Sequence, residues 1–123
     1  MDLDAIRAFC LSFPRATENL QWGEDLCFKV GGKLFVVVGL GSVPQGVTFK
    51  CSPESFTELT EREGIAPAAY VGRYKWVTLE DLDTLPEPDL RDAISQSYRM
   101  VAAKAKPASR RAKSRKQRPR TAQ

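Results

Sequence analysis

Residues 26–39, LCFKVGGKLFVVVG, leave this chain few folds to choose from. Leu26, Phe28 and Val30 alternate with Cys27 and Lys29, which is the period of a strand with one buried face. Gly31-Gly32 then supplies the backbone freedom of a tight turn before the β-rich run KLFVVVG resumes. The pattern predicts an antiparallel hairpin, and its apolar face needs more strands and a helical layer to cover it.

The flanking segments supply both. Leu3, Ile6, Cys10 and Phe13 recur at helical spacing, so residues 3–13 read as a helix capped by Asp2 or Asp4 and ended by Pro14. After the loop GSVPQG, the segment VTFKC puts Val47, Phe49 and Cys51 on one face and Thr48 and Lys50 on the other, a third strand. Ser52 caps the next helix, with Pro53 in its first position, Glu54 at the positive end of its dipole, Phe56 and Leu59 inward, and Gly64 as the stop. IAPAAYVGRY, 65–74, reads as a loop, KWVTL as a fourth strand, and the stretch from Asn19 to Trp22 as a fifth at an edge. From Glu87 on, Leu90, Ala93, Ile94, Ser97, Tyr98 and Val101 trace one helical face to the neighbourhood of Lys104, and Pro107 closes it. The expected fold is α+β: an antiparallel sheet of four to five strands with helices packed on it, one domain over 1–105, without internal repeats.

Residues 106–123 differ in kind. Beyond Pro107 there is no Leu, Ile, Val or aromatic residue to offset the entropy of ordering, so a disordered tail is expected. The net charge of +4 conceals a division: residues 104–123 hold nine Lys or Arg and no acid, leaving ten basic against fifteen acidic residues before them. A mildly acidic body is unusual for a dedicated duplex binder. The tail, with Arg110, Arg111, Lys113, Arg115, Lys116, Arg118 and Arg120, can hold any polyanion through counterion release without choosing a sequence, or can simply solubilise the chain.

The absence of histidine removes the commonest general base and the commonest metal ligand together. Cys10, Cys27 and Cys51 form no CxxC pair and read as reduced, buried thiols of a cytoplasmic protein. Glu24-Asp25 and Glu80-Asp81 sit beside turns, where carboxylates cap backbone or face water. The loop at 41–48 has the glycine spacing of a phosphate loop, but Val47 stands where that motif needs lysine and a strand follows instead of a helix. No catalytic residue, metal or cofactor is assigned. MDLDAIRAFC lacks the basic patch and apolar core of a signal peptide, and no apolar run reaches the roughly 18 residues of a membrane span.

Two basic groupings remain. In GRYKW, Arg73 and Lys75 alternate with Tyr74 and Trp76 just before a strand; this suits phosphate grip and base stacking, while Trp76 equally suits core or edge packing. Lys29, Lys33 and Lys50 fit a basic strip on the sheet or hairpin, and fit ordinary solvent-facing alternation as well.

Taken in order, FPRA at 13–16, FKVGGKLF at 28–35, FKCSPESF at 49–56, KWVTL at 75–79 and SYRMVAAK at 97–104 resemble the MmcQ/YjbR family of small bacterial proteins, across about Met1 to Lys106. The resemblance implies an antiparallel sheet with helices packed on it, similar to the frataxin-like CyaY fold and called a double-wing DNA-binding fold. It also implies DNA binding, a label that rests on fold comparison. The family's recurrent residues fall on Lys33, Lys50, Ser52, Pro53, Trp76, Ser97 and Tyr98. Many relatives place a histidine directly before the tryptophan; here that position is Lys75, which puts any imidazole role in doubt.

The resulting expectation is a cytoplasmic, monomeric, non-enzymatic nucleic-acid-binding protein with no membrane association. The tail gives nonspecific phosphate affinity, and Lys33, Lys50, Arg73, Lys75 and Trp76 give a weak docking surface. The alternative is a protein- or peptide-interaction module using the sheet face or a cleft beside Trp76, with a solubilising tail.

Overall fold

A computed structural model describes residues 1–41, 43–69 and 71–105. The chain runs α1 (Leu3–Leu11), β1 (Ala16–Gln21), β2 (Asp25–Val30), β3 (Lys33–Gly39), β4 (Gly46–Lys50), α2 (Pro53–Thr60), β5 (Ile65–Pro67), a 3-10 turn (Gly72–Tyr74), β6 (Trp76–Leu79) and α3 (Glu87–Lys104). The strands form one antiparallel sheet in the order β1-β2-β3-β4-β6-β5.

The strand alternation becomes two apolar rows across the sheet. Leu26, Val38, Val47 and Leu79 are register neighbours in one row, and Phe28, Val36, Phe49 and Val77 in the next. All eight are buried in a single cluster with Ile6 and Cys10 of α1 and Leu90, Ile94 and Val101 of α3. Cys27, Val37, Thr48 and Thr78 alternate to the other face, where the two threonine hydroxyls bond at 2.8 Å.

α3 is pinned to this sheet by polar contacts as well as by burial. The fully buried Ser97 hydroxyl accepts the Lys50 N–H (3.0 Å) and donates to the Phe35 carbonyl (2.6 Å). Phe35 and Lys50 follow the Val36–Phe49 pair in the β3–β4 ladder, so the hydroxyl stands in for a backbone ladder bond and leaves no buried group unsatisfied there. One residue on, the Tyr98 hydroxyl donates to the Pro14 carbonyl (2.8 Å) while its ring stacks on Phe13 (4.4 Å between centres) and meets Phe35 edge-on (5.3 Å). The turn after α1 is thereby tied to α3.

Most expected elements are present. Asp2 caps α1 by accepting the Ala5 N–H (2.8 Å), and Ser52 caps α2 by accepting the Ser55 N–H (3.1 Å). α1 stops at Leu11, short of residue 13, because Phe13 turns into the ring stack. The edge strand read from Asn19 to Trp22 is β1, which ends at Gln21; Trp22 follows it with φ 51° and is 70% exposed. The segment 65–74, expected to be a loop, contributes β5 and the 3-10 turn, so the sheet has six strands. Three residues are too few for alternation to register, and Pro67 is tolerated because β5 lies at the edge.

The three cysteines are free and buried. Burial pushes the Cys10 thiol up to about 12 and raises Cys27 as well. No helix among the described residues is long and apolar enough to cross a membrane. The expectations for Pro107 and for residues 106–123 lie outside the described residues.

Candidate nucleic-acid interface

β3 begins at Lys33, β4 ends at Lys50, β6 begins at Trp76 and α3 ends at Lys104. Because the strands are antiparallel and Lys50 pairs in register with Trp76, these positions meet at one end of the sheet. Lys33, Lys50 and Lys104 rim a groove of about 300 Å3 whose other lining includes Leu34, Trp76 and Met100. A second hollow of about 440 Å3 adjoins it, sharing Lys50, Met100 and Lys104 and adding Lys75, Tyr74 and the Ser52-Pro53 start of α2. No carboxylate lines either one.

The backbone around the second hollow is tightly specified. The 3-10 turn ends on Lys75, which adopts the left-handed conformation (φ 69°, ψ 42°), uncommon for a residue other than glycine, asparagine or aspartate. It is held there by its N–H to Gly72 O (2.9 Å) and by its carbonyl, which accepts the Cys51 N–H (2.8 Å) and thiol (3.3 Å). Gly72 is required for the same approach, since a Cβ there would lie 2.9 Å from the Pro67 Cβ. Lys50 Nζ donates to the Tyr74 carbonyl (3.2 Å), and Lys75 Nζ sits 4.9 Å from the centre of the Phe56 ring. Burial pushes the Cys51 thiol up to about 11, against the downward pull of Lys50 and Lys75. It is therefore protonated near neutral pH and is no thiolate nucleophile.

The structure brings Lys33, Lys50, Lys75 and Trp76 together, with Arg73 in the middle of the 3-10 turn. Trp76 is half-buried on the sheet and also walls a groove. Lys29 is not part of the site; it pairs across β2–β3 with Leu34 and lines neither groove. Arg110, Arg111, Lys113, Arg115, Lys116, Arg118 and Arg120 lie outside the described residues. Sequence reasoning missed Met100 and Lys104 as site residues, although their i, i+4 spacing places them on one face of α3 beside the buried Val101.

Of the two acidic pairs, Glu80-Asp81 contributes a carboxylate to a turn. Asp81 Oδ1 accepts the Asp83 N–H (2.7 Å) and the Thr84 hydroxyl (3.4 Å), closing the bend before α3. Among the described residues no group of His, Cys, Asp and Glu side chains could hold a metal ion.

The YjbR family model matches residues 11–100, which include all the matching sequence pieces except the end of the last. The chain belongs to the YjbR family. The crystal structure of a Deinococcus radiodurans protein with family domain DUF419 is similar to this YjbR protein at 26% identity and a TM-score of 0.77, covering 89% of this chain and 86% of that one. A Pseudomonas syringae protein shares the fold at 16% identity and a TM-score of 0.67, covering 82% of this chain and 99% of that one. No curated protein matches the chain. The family match spans Lys33, Lys50, Arg73, Lys75 and Trp76, while Lys104 and the basic tail fall beyond it.

Proposed function

We propose that this YjbR protein is a cytoplasmic, non-enzymatic nucleic-acid-binding module that works as a monomer. The observation that carries the reading is the convergence of Lys33, Lys50, Lys75 and Lys104 around Trp76 and Tyr74, with no carboxylate in the lining, on a body whose acids outnumber its bases. α3 ends at Lys104, which lines both grooves, and the eight basic residues of 106–120 follow it in the sequence. Contact with phosphate through these groups releases counterions and gives affinity without sequence choice.

The test is fluorescence polarisation of labelled DNA and RNA over a salt series, with the full chain, a chain ending at Lys104, and a full-length variant carrying Gln at 33, 50, 75 and 104. Loss of the tail should remove much of the affinity and flatten the salt slope, and the Gln variant should lose a further share. Absence of binding by the full chain at low salt, or a Gln variant indistinguishable from it, refutes the reading.

The runner-up, a protein-interaction module, has one observation in its favour at the opposite side of the sheet. β1 is an edge strand, and Leu20 and Trp22 beside its end are 60% and 70% exposed. Stoichiometric recovery of one protein from nuclease-treated lysate, lost in a Leu20→Lys variant, would favour it.

A further inference from the structure

The shape of the lysine-rich end narrows the ligand beyond what its charge does. We infer that the two adjoining grooves take consecutive unpaired nucleotides, one base against Trp76 and the next against Tyr74, so that the site discriminates single strands from duplex. This rests on the nucleic-acid reading above and specifies which nucleic acid that site accepts.

Three observations carry the inference. The first is floor chemistry: Leu34, Trp76 and Met100 line one groove, and Tyr74, Met100 and Pro53 the other, so cations form rims around apolar surface. Phosphate gains nothing from an apolar floor, whereas the face of an unpaired base does, through stacking and burial. The second is size and curvature. Hollows of about 300 and 440 Å3 are on the scale of small-ligand sites, which run from roughly 300 to 1,000 Å3. A duplex presents its bases to a helix or ribbon that projects into its groove, and here the lysines border depressions.

The third is order. Lys33 borders only the first groove and Lys75 only the second, while Lys50 and Lys104 border both. The sequence of features is cation, apolar hollow, two cations, apolar hollow, cation. A single strand repeats phosphate and base in that same alternation, with its bridging phosphate falling at Lys50 and Lys104. Tyr74 is 53% exposed, so its ring is within reach of a ligand.

The chain has two tryptophans, and Trp22 lies outside both grooves. A full-length Trp22→Phe variant therefore makes Trp76 the sole indole reporter. It is titrated with a twelve-residue oligothymidylate, a duplex of the same length and inorganic polyphosphate, while binding of each is followed independently by calorimetry. Quenching of Trp76 by oligothymidylate, with little or none when duplex or polyphosphate binds, is the expected result. A full-length Trp76→Leu variant, checked for an unchanged fold by circular dichroism, should lose roughly 5- to 150-fold in oligothymidylate affinity, the range for one stacked base, with duplex affinity kept. Equal quenching by all three probes, or equal weakening of all three in the Leu variant, overturns the inference and leaves the broader reading standing. Absence of binding by any probe overturns both.

Discussion

The two ends of α3 carry opposite charge, and helix electrostatics explains only one of them fully. At the N-terminal end, Asp89 and Asp92 share a cleft with Glu58 and a single cation, Arg62, and Asp2, Asp81 and Asp83 line a hollow with Met1. Much of this charge is engaged locally: Asp83 meets the Met1 ammonium at 3.4 Å, Glu87 pairs with Arg91 at 3.0 Å, and Asp2 caps α1. Acids at a helix start and Lys104 at its end also complement the helix dipole. That account stops short of Lys33, Lys50 and Lys75, which belong to strands and a turn. Among the described residues none of these three, nor Lys104, forms a salt bridge. The difference teaches that part of the acidic end's charge is used in ion pairs and caps, while at the basic end the polar partners are neutral: Lys50 donates to the Tyr74 carbonyl and Lys75 lies over the Phe56 ring.

Replacing Lys33, Lys50, Lys75 and Lys104 by Gln attacks that contrast most directly. At about 0.7 per phosphate contact for a single strand, the slope of log oligothymidylate affinity against log salt should flatten by about 3, equivalent to roughly 60-fold between 50 and 200 mM salt. Neutralising Glu58, Asp89 and Asp92 instead should shift affinity by less than about 3-fold, because screening over about 8 Å isolates the far end. A comparable slope change from the acidic-end variant would break the comparison.

The joint between the ends is next in size. Ser97→Val should leave the Lys50 N–H and Phe35 carbonyl unsatisfied and lower stability by about 1–3 kcal/mol, read by urea unfolding. Tyr98→Phe, which frees only the Pro14 carbonyl, should lower it by about 1 kcal/mol.

Two thiols report on the two environments. Burial raises both, but Glu18 raises Cys10 further while Lys50 and Lys75 pull Cys51 down, leaving them at about 12 and about 11. The ordinary thiol value of 9.0 describes the unfolded chain, so the folded protein keeps protons that the unfolded chain releases. The stability contributed by each protonated thiol is complete below about pH 9 and is lost as pH rises through about 11 for Cys51 and about 12 for Cys10. Urea midpoints between pH 8 and 11 should fall, and the fall should be shallower in a Cys51→Ala variant. The smallest expected effect is at β1, where Arg7 forks onto Glu18 at 3.0 and 2.6 Å and holds its carboxyl below the usual range. Because this carboxyl's folded value is depressed, its contribution is present at neutral pH and is lost as pH falls into the acidic range. Glu18→Gln should change the melting temperature only slightly at pH 7.

Legibility in the sequence followed periodicity. The β2–β3 hairpin and the buried face of α3 repeat at fixed spacing and were readable from it, and the Ser52 cap was readable from residue type and the Pro53 beside it. β5 was not, because Ile65–Pro67 offers three residues and its partner β6 decides its fate. At the site, alternation made Lys29 look equivalent to Lys33 and Lys50; only the ladder shows that Lys29 lies at the same end on β2, opposite Leu34 and separated from β4 and β6 by β3. Met100 and Lys104 join residues 33, 50 and 76 only through the ladder register and the Ser97 contact, neither of which leaves a local pattern.

Ser97 also bears on how a ligand would be received. One oxygen wedged between two strands and donated by a helix sets those three pieces to a common index mark: sliding α3 by a single residue would break both contacts at once. The opposing walls of the first groove, helix end and strand ends, therefore keep a fixed gap before anything arrives. A ligand that fits that gap would meet a slot already set by the fold.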